Sequence, residues 1–493
     1  MKHSMSAWWR IVALAAWIGV GAVGTVGPTA QGADDRPPNI VFILADDLGW
    51  TDLGCQGSTY YETPHLDRLA AQGIRFTQAT TAGPNCQPTR AALITGQYGP
   101  RTGIYTVGSI ERFNWRLRPL QPVDNVETLD PSAVTFAEVL KSAGYATGFF
   151  GKWHLGDGPS HPCRQGFDEA LVTTTTHFHF RTNPPVELED GVYQADFLTD
   201  RAVEFIKRHQ AGPFLLCVQH FAVHSPYQAK PEWIEQFRSK AGAPGHRDPT
   251  YAAMIASVDE SVGRIVAQID RLALDRQTLV IFTSDNGGVG GYAREGLRRS
   301  QDVTDNAPLR GGKGMLYEGG IRVPFLARWP GRVPSGVVCD EPIQSIDLFP
   351  TLLELAGVAP PADLVLDGTS FVGLLETGRL QTDVERPPLF WHFPGYLGAG
   401  EDQWRATPVG VVRAGDWKLM EFFEDGHFEL YNLKDDPGET CNRAADQVEK
   451  VAELHQRLIA WRRAINAPMP TPNPRRPPAD KPVKPVPVPS QPG

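Results

Sequence analysis

The run NIVFILA at Asn39–Ala45 constrains the fold most. It carries no charge and ends abruptly in Asp46-Asp47. Apolar residues at every position after Asn39, with no alternation, suit a strand buried on both faces, as in sheets covered by helices on each side. Three more short apolar runs follow at 146–150, 213–218 and 278–282. Helical spacing separates them. Segment 194–209 carries Phe197, Leu198, Val203 and Ile206, and segment 250–272 carries Tyr251, Met254, Ile255, Val258, Val262, Ile265, Ile269 and Leu272. Strands alternating with helices predict an α/β fold with a large, mostly parallel or mixed sheet flanked by helices.

The pattern changes after about residue 380. Segment 409–433 holds strand-like runs broken by AGD and EDG turns, which predicts an antiparallel meander, and 447–465 reads as a helix packed on it. These predict a smaller C-terminal α+β subdomain over 381–466, after a larger α/β domain over 38–380. From Ala467 the chain is Pro-rich and mildly basic, the composition of a disordered tail over 467–493. Residues 1–33 have a short basic start, an apolar run and small residues near Gly32 and Ala33, the pattern of a cleaved secretory signal; an uncleaved anchor is the alternative. An exported protein, periplasmic or secreted, is expected, without stable membrane insertion. The net charge of −9 argues against a nucleic-acid-binding face. The six cysteines match no zinc spacing and are too sparse for a disulfide framework, leaving room for one or two bridges.

In open parallel sheets, ligands sit beyond the carboxyl ends of the strands. Polar residues cluster after each apolar run: Asp46-Asp47, Lys152-Trp153-His154, His220 with His224, and Asp285-Asn286. Asp46, Asp47, Asp285 and Asn286 offer only oxygen, which suits a hard cation, Ca2+ or Mg2+, over zinc. Taken singly, each pair is also an ordinary turn or helix-cap sequence. Arg90, Lys152, His154, His224 and Lys313 would ring such a cation with groups suited to a small oxyanion. Cys86 fits this chemistry poorly, because a soft thiolate beside a hard cation is a mismatch and no activating base is evident.

Cys86-Gln87-Pro88-Thr89-Arg90, continuing to Leu93-Ile94-Thr95-Gly96, resembles the signature of type I, formylglycine-dependent sulfatases, members of the alkaline phosphatase superfamily. Gly144–Thr147 with Gly151–His154, the Asp pairs, His224 before Ser225-Pro226, Lys313 and the segment 431–439 follow the same family's order. The resemblance spans about residues 38–465. It implies that a formylglycine-generating maturation enzyme oxidises Cys86 to an aldehyde, whose hydrate attacks the sulfur of a sulfate ester. It implies one Ca2+ held by Asp46, Asp47, Asp285 and Asn286, with the Cys86-derived residue as a further ligand. Arg90 would steady that residue. His154 would assist sulfate release. Lys152, His224 and Lys313 would bind sulfate, with His224 or Lys313 protonating the leaving oxygen. The substrate would be a sulfated small molecule or glycan.

Gln87 and Asn85 depart from the family's usual residues, and Phe150 is bulky enough to narrow the pocket. Two other functions remain open on the same residues: hydrolysis of phosphonate monoesters or phosphodiesters, and non-catalytic glycan binding. The loop 292–313 carries Arg294, Arg298, Arg299 and Arg310 among acids. Arg298 and Arg299 are the expected contacts to further anionic groups of a glycan; the plain alternative is a solvated loop whose charges pair internally.

Overall fold

All of Asn39–Ala45 is buried, because it is an interior strand of a sheet covered on both faces. The computed structural model describes residues 36–297, 302–380, 385–400 and 403–474. Among these, nine strands form one sheet. In chain order they are β1 (Asn39–Ala45), β2 (Ile74–Phe76), β3 (Ala146–Gly151), β4 (Glu169–Thr173), β5 (Thr182–Asn183), β6 (Phe214–Gln219), β7 (Thr278–Ser284), β8 (Phe325–Arg328) and β9 (Val337–Cys339). Their spatial order is β9-β2-β8-β7-β1-β6-β3-β4-β5. The four apolar runs are therefore neighbours, and β7, β1, β6 and β3 pair in parallel. β8 joins β7 antiparallel, so the sheet is mixed.

Strand alternation sends successive side chains to opposite faces. Ile40, Phe42 and Leu44 share a core with Leu93 and Ile94 of α1 (Cys86–Thr95). Val41 and Ile43 share the other core with Phe205 of α2 (Gln194–His209) and Val258 of α3 (Pro249–Arg271). Asp248 caps α3 by accepting the Tyr251 N–H at 2.8 Å, and Pro249 opens the helix where no N–H is needed.

The C-terminal part contains β10 (Leu389–Phe393), the ribbon β11 (Leu397–Gly400) and β12 (Gln403–Ala406), then β13 (Val409–Ala414), β14 (Trp417–Phe422) and β15 (Phe428–Asn432). β10, β13, β14 and β15 form the expected antiparallel sheet. The helix α4 (Val448–Ala464) covers one face through Leu454 and Leu458. The other face, with Trp391 and Val411, shares a core with Tyr105, Leu316 and Ile321. Buried Lys418 crosses this junction to Glu318 at 2.9 Å and Glu439 at 2.8 Å.

The Pro-rich segment begins differently from the sequence expectation. Thr471–Pro472 pairs antiparallel with Leu120–Gln121, and Asn473 Nδ2 donates to the carbonyls of Arg116 and Arg118. Proline is compatible with an edge strand, so composition alone did not exclude pairing. The signal segment and residues 475–493 lie outside the described residues. All six cysteines are unbridged. No helix among the described residues is long and apolar enough to cross a membrane.

Candidate active site

The parallel register brings the strand tips level. Ala45 pairs with Ser284, and both Leu44 and Gly151 pair with Gln219. Asp46, Asp285 and Lys152 follow directly. Backbone hydrogen bonds continue past the strands: Asp285 N–H donates to Ala45, Asp46 N–H to Ala222 and Lys152 N–H to Gln219, at 3.2, 3.0 and 2.8 Å. Gly151 permits the last contact, since a Cβ there would lie 1.9 Å from the Gln219 carbonyl oxygen. Asp47 and His154 adopt left-handed φ angles of 66° and 63°. Such strain in non-glycine residues costs of order 1–3 kcal/mol each and gathers at functional sites.

Cys86 is the first residue of α1, and Pro88 occupies the first turn, where its missing N–H costs nothing. Arg90 lies one turn further along the same helix face. Its Nε donates to Asp285 Oδ2 at 2.9 Å, and Nη1 donates to the Lys152 carbonyl at 2.5 Å and to Gln219 Oε1 at 2.7 Å. Gln219 was not foreseen from sequence; its position as the last strand residue before His220 was the available signal. The two unusual motif residues have local roles. Gln87 Oε1 accepts the Gly108 N–H at 3.2 Å, and Asn85 Nδ2 donates to Thr106 Oγ1 at 3.2 Å, so both brace the loop that follows α1.

One ligand atom from each of Asp46, Asp47, Cys86 and His224 lies within 4.8 Å of the others. Asp285 joins them through Oδ1, which accepts the Asp47 N–H at 3.2 Å. Asn286 Nδ2 donates to Asp47 Oδ1 at 2.9 Å. Asp46 Oδ1 and Asn286 Oδ1 are buried without a hydrogen-bond partner. Buried oxygens left unanswered among three carboxylates fit a hard cation. Lys152 reaches Asp46, and Lys313 lies 2.6 Å from Asp47 Oδ1.

Burial pushes Asp46 up, but Lys152, His224, Arg90 and Lys313 outweigh it and hold the carboxyl well below the usual range. Burial raises Asp285 to about 7, with the Asp46 charge adding to it against Arg90 and Lys152. Burial also raises the Cys86 thiol, which therefore lacks thiolate character of its own. His154 is pushed down to about 3 by burial and then by Lys152 and Arg90, so its imidazole is neutral. His224 Nδ1 contacts the Ser225 carbonyl at 2.6 Å, and Nε2 lies 3.7 Å from Asp47 Oδ2.

Cys86, Lys152, His154, His224 and Lys313 line one cleft of about 860 Å3 with Arg112, Phe113 and Arg405. A second cavity of about 670 Å3 shares Val107 and His154 and runs on to Asp157, Arg181 and Asn183. Arg405 comes from β12, more than ninety residues beyond Lys313, and nothing in its local sequence marks it.

Two expectations are corrected. Phe150 does not narrow the cleft; it packs in the helix-covered core against Phe205, because alternation along β3 turns it to that face. His220 is fully buried against Ser261 Oγ at 3.0 Å and does not join His224. In the loop, Arg294 pairs with Asp305 and Arg310 with Glu295, as internal charge pairing predicts. Arg298 and Arg299 lie outside the described residues.

The family model described as Sulfatase matches residues 38–358. The one described as N-sulphoglucosamine sulphohydrolase, C-terminal, matches residues 312–464. The chain is 35% identical over 442 residues to the N-acetylgalactosamine-6-sulfatase of Canis lupus familiaris, covering 85% of this chain and 77% of that one. It is 34% identical to the steryl-sulfatase of Mus musculus, covering 89% and 84%. Among solved structures, Ps i-CgsB in complex with k-i-k-neocarrahexaose superposes with a TM-score of 0.71 at 28% identity, covering 86% of this chain and 93% of that one.

Proposed function

The chain belongs to the sulfatase family of sulfuric ester hydrolases, and from that premise we propose that it cleaves sulfate monoesters of sulfated carbohydrates. In this proposal Cys86 is oxidised to formylglycine by a maturation enzyme. Asp46, Asp47, Asp285 and Asn286 hold one Ca2+, with the Cys86-derived side chain beside it. The observation that carries the proposal is the buried position of Cys86, at the start of α1 and within 4.8 Å of carboxylate oxygens. A raised thiol there is a poor nucleophile, whereas an oxygen group at the same place suits both the neighbours and the chemistry.

When present, the hydrated formylglycine supplies an oxygen nucleophile, and Ca2+ supplies charge that offsets the carboxylates and polarises a sulfate oxygen. The residues of the chain do the rest. Asp46, Asp47 and Asp285 are balanced by Arg90, Lys152 and Lys313, so an added divalent cation leaves the cleft positive for an anionic ester. Arg90 keeps Asp285 and the Lys152 backbone in place. Lys152 and Lys313 offer ammonium donors to sulfate oxygens. His224 is tied through Nδ1 to Ser225, which leaves Nε2 facing Asp47. Burial lowers its pKa against the pull of Asp47 and Asp46, so the ring must first take up a proton, which the arriving anionic ester favours, before Nε2 protonates the departing alcohol oxygen. Lys313 is engaged twice by Asp47, at 2.6 and 2.8 Å, which favours His224 over Lys313 as that acid. Neutral His154 accepts a proton as sulfate is released.

The carbohydrate substrate class is supported by the relatives named for an aminosugar sulfate or bound to a carrahexaose, and by a cleft that continues into a second cavity with room for more than the sulfate group. We also propose export by the N-terminal signal, and a catalytic domain over 38–380 with a subdomain over 381–466. The test joins mass spectrometry of the Cys86 peptide to sulfate release from sulfated sugars and phosphate diesters. We expect an aldehyde at position 86 after co-expression with a maturation enzyme, and sulfate release that Cys86→Ala abolishes. An active Cys86→Ala enzyme, or faster cleavage of phosphate diesters than of any sulfate ester, refutes the proposal.

A further inference from the structure

Two guanidinium groups line the cleft without an acid to answer them. Arg405 lies on β12, and Arg112 ends the short 3-10 turn Ile110–Arg112; both share the 860 Å3 cleft with Cys86 and Lys313. Among the described residues, neither has a carboxylate within ion-pair distance, whereas Arg294 and Arg310 on the neighbouring loop are both paired. Arg405 is also held in place. Its guanidinium stacks 4.3 Å from the centre of the Tyr292 ring. Tyr292 is fully buried, and its hydroxyl donates to the Lys313 carbonyl at 2.8 Å. Gly314, at φ +91°, leaves room for this approach, since a Cβ there would lie 3.3 Å from Arg405 Cδ. Among the described residues, the Nε of Arg405 finds no hydrogen-bond partner.

A guanidinium fixed by stacking has little rotamer freedom left to lose, and its in-plane N–H groups match a planar or tetrahedral anion in a two-point contact. Its backbone-linked neighbour is Lys313, which the preceding proposal gives to the scissile sulfate. We propose that Arg405, with Arg112, binds a second anionic group of the substrate, either a carboxylate or another sulfate, on the reacting sugar or the one beside it. This rests on the sulfated-carbohydrate proposal above. It assigns to the C-terminal ribbon the specificity role that the sequence suggested for Arg298 and Arg299.

The experiment uses matched substrate pairs on the mature enzyme. One pair is a sulfated disaccharide containing a uronic acid and the same disaccharide with its carboxyl group reduced to an alcohol. The other is a disulfated hexosamine and its monosulfated counterpart. The wild type should prefer the charged member of at least one pair, and the pair identifies which anion is bound. In Arg405→Gln the ratio of kcat/KM, charged over uncharged, should fall at least about tenfold, mainly through KM, and Arg405→Lys should recover part of it. A preference left intact in both Arg405→Gln and Arg112→Gln overturns the proposal. So does an equal loss for both members of each pair, which would mark a structural role. p-Nitrophenyl sulfate separates the two levels. Its hydrolysis by a wild type with no preference in either pair refutes only the second anion site. Failure on every sulfate ester refutes the sulfatase assignment beneath it.

Discussion

Arg90 and Asp285 lie 195 residues apart in the chain, yet Nε and Nη2 of the guanidinium reach one carboxylate oxygen at 2.9 and 2.8 Å. Both side chains are buried. Arg90 also reaches the Lys152 carbonyl and Gln219, so a single residue ties α1 to the tips of β7, β3 and β6.

Removing Arg90 should therefore cost stability as well as activity. Arg90→Ala leaves Asp285 buried without its partner, and such losses run to about 3–5 kcal/mol. Arg90→Lys keeps the charge and loses the fork, so it should fall between wild type and Ala. Urea denaturation of the three proteins measures this. A loss below about 1 kcal/mol in Arg90→Ala would show that the pair contributes little.

Chelation should lower both activity and melting temperature, and Ca2+ should restore them. A ligand at a hundredfold excess over its Kd stabilises by about 2.7 kcal/mol. Asp46→Asn keeps the shape of the site, lowers its negative charge and should shift the Ca2+ titration of the melting curve to higher concentration. Identical melts with chelator and with Ca2+ would refute the cation site.

His224→Asn separates leaving-group protonation from sulfate binding. Sugar alcohols leave poorly without a proton, whereas nitrophenolate leaves readily. General acid catalysis contributes about 10²–10⁴ in rate. The substitution should approach that loss on a sugar sulfate and fall well short of it on p-nitrophenyl sulfate. Equal losses on both would assign His224 to sulfate binding alone.

Glu439 adds a pH dependence to stability away from the cleft. Burial and then Glu318 raise it to about 7, against the pull of Lys418, from an ordinary value of 4.5. Between these values the folded state keeps a proton that the unfolded chain releases. The contribution is therefore full below about 4.5 and is lost as pH rises through about 7. Unfolding free energies at about pH 5 and about pH 8 should differ less in Glu439→Gln than in the wild type. An unchanged difference would remove Glu439 as its source.

Much of the fold was legible because it rests on local periodicity. Four apolar runs marked four adjacent strands, and helical spacing marked α2 with the bounds it has in the structure. Part of the candidate site was legible for the same reason: the Asp46-Asp47 and Asp285-Asn286 pairs sit where apolar strands stop. That Cys86 and Arg90 lie one helical turn apart came only with the structure. Resemblance to a family then assigned roles that residue chemistry had left open, above all at Cys86.

By itself the sequence determined the four central strands, the longer helices and the C-terminal meander, and which residues stand at the strand ends, since these follow from spacing within a few residues. The short outer strands carry too few residues for a period to show. Tertiary structure decided which ends meet. The parallel register of β7, β1 and β6 sets Asp285, Asp46 and Gln219 around Arg90, and no local pattern encodes a pairing across so many residues. It also decided that Phe150 and His220 point into the core, because strand alternation and packing choose a side chain's face one residue at a time. Arg405 reaches the cleft because the C-terminal ribbon packs where this side chain stacks on Tyr292, a contact between segments more than ninety residues apart that no local pattern encodes.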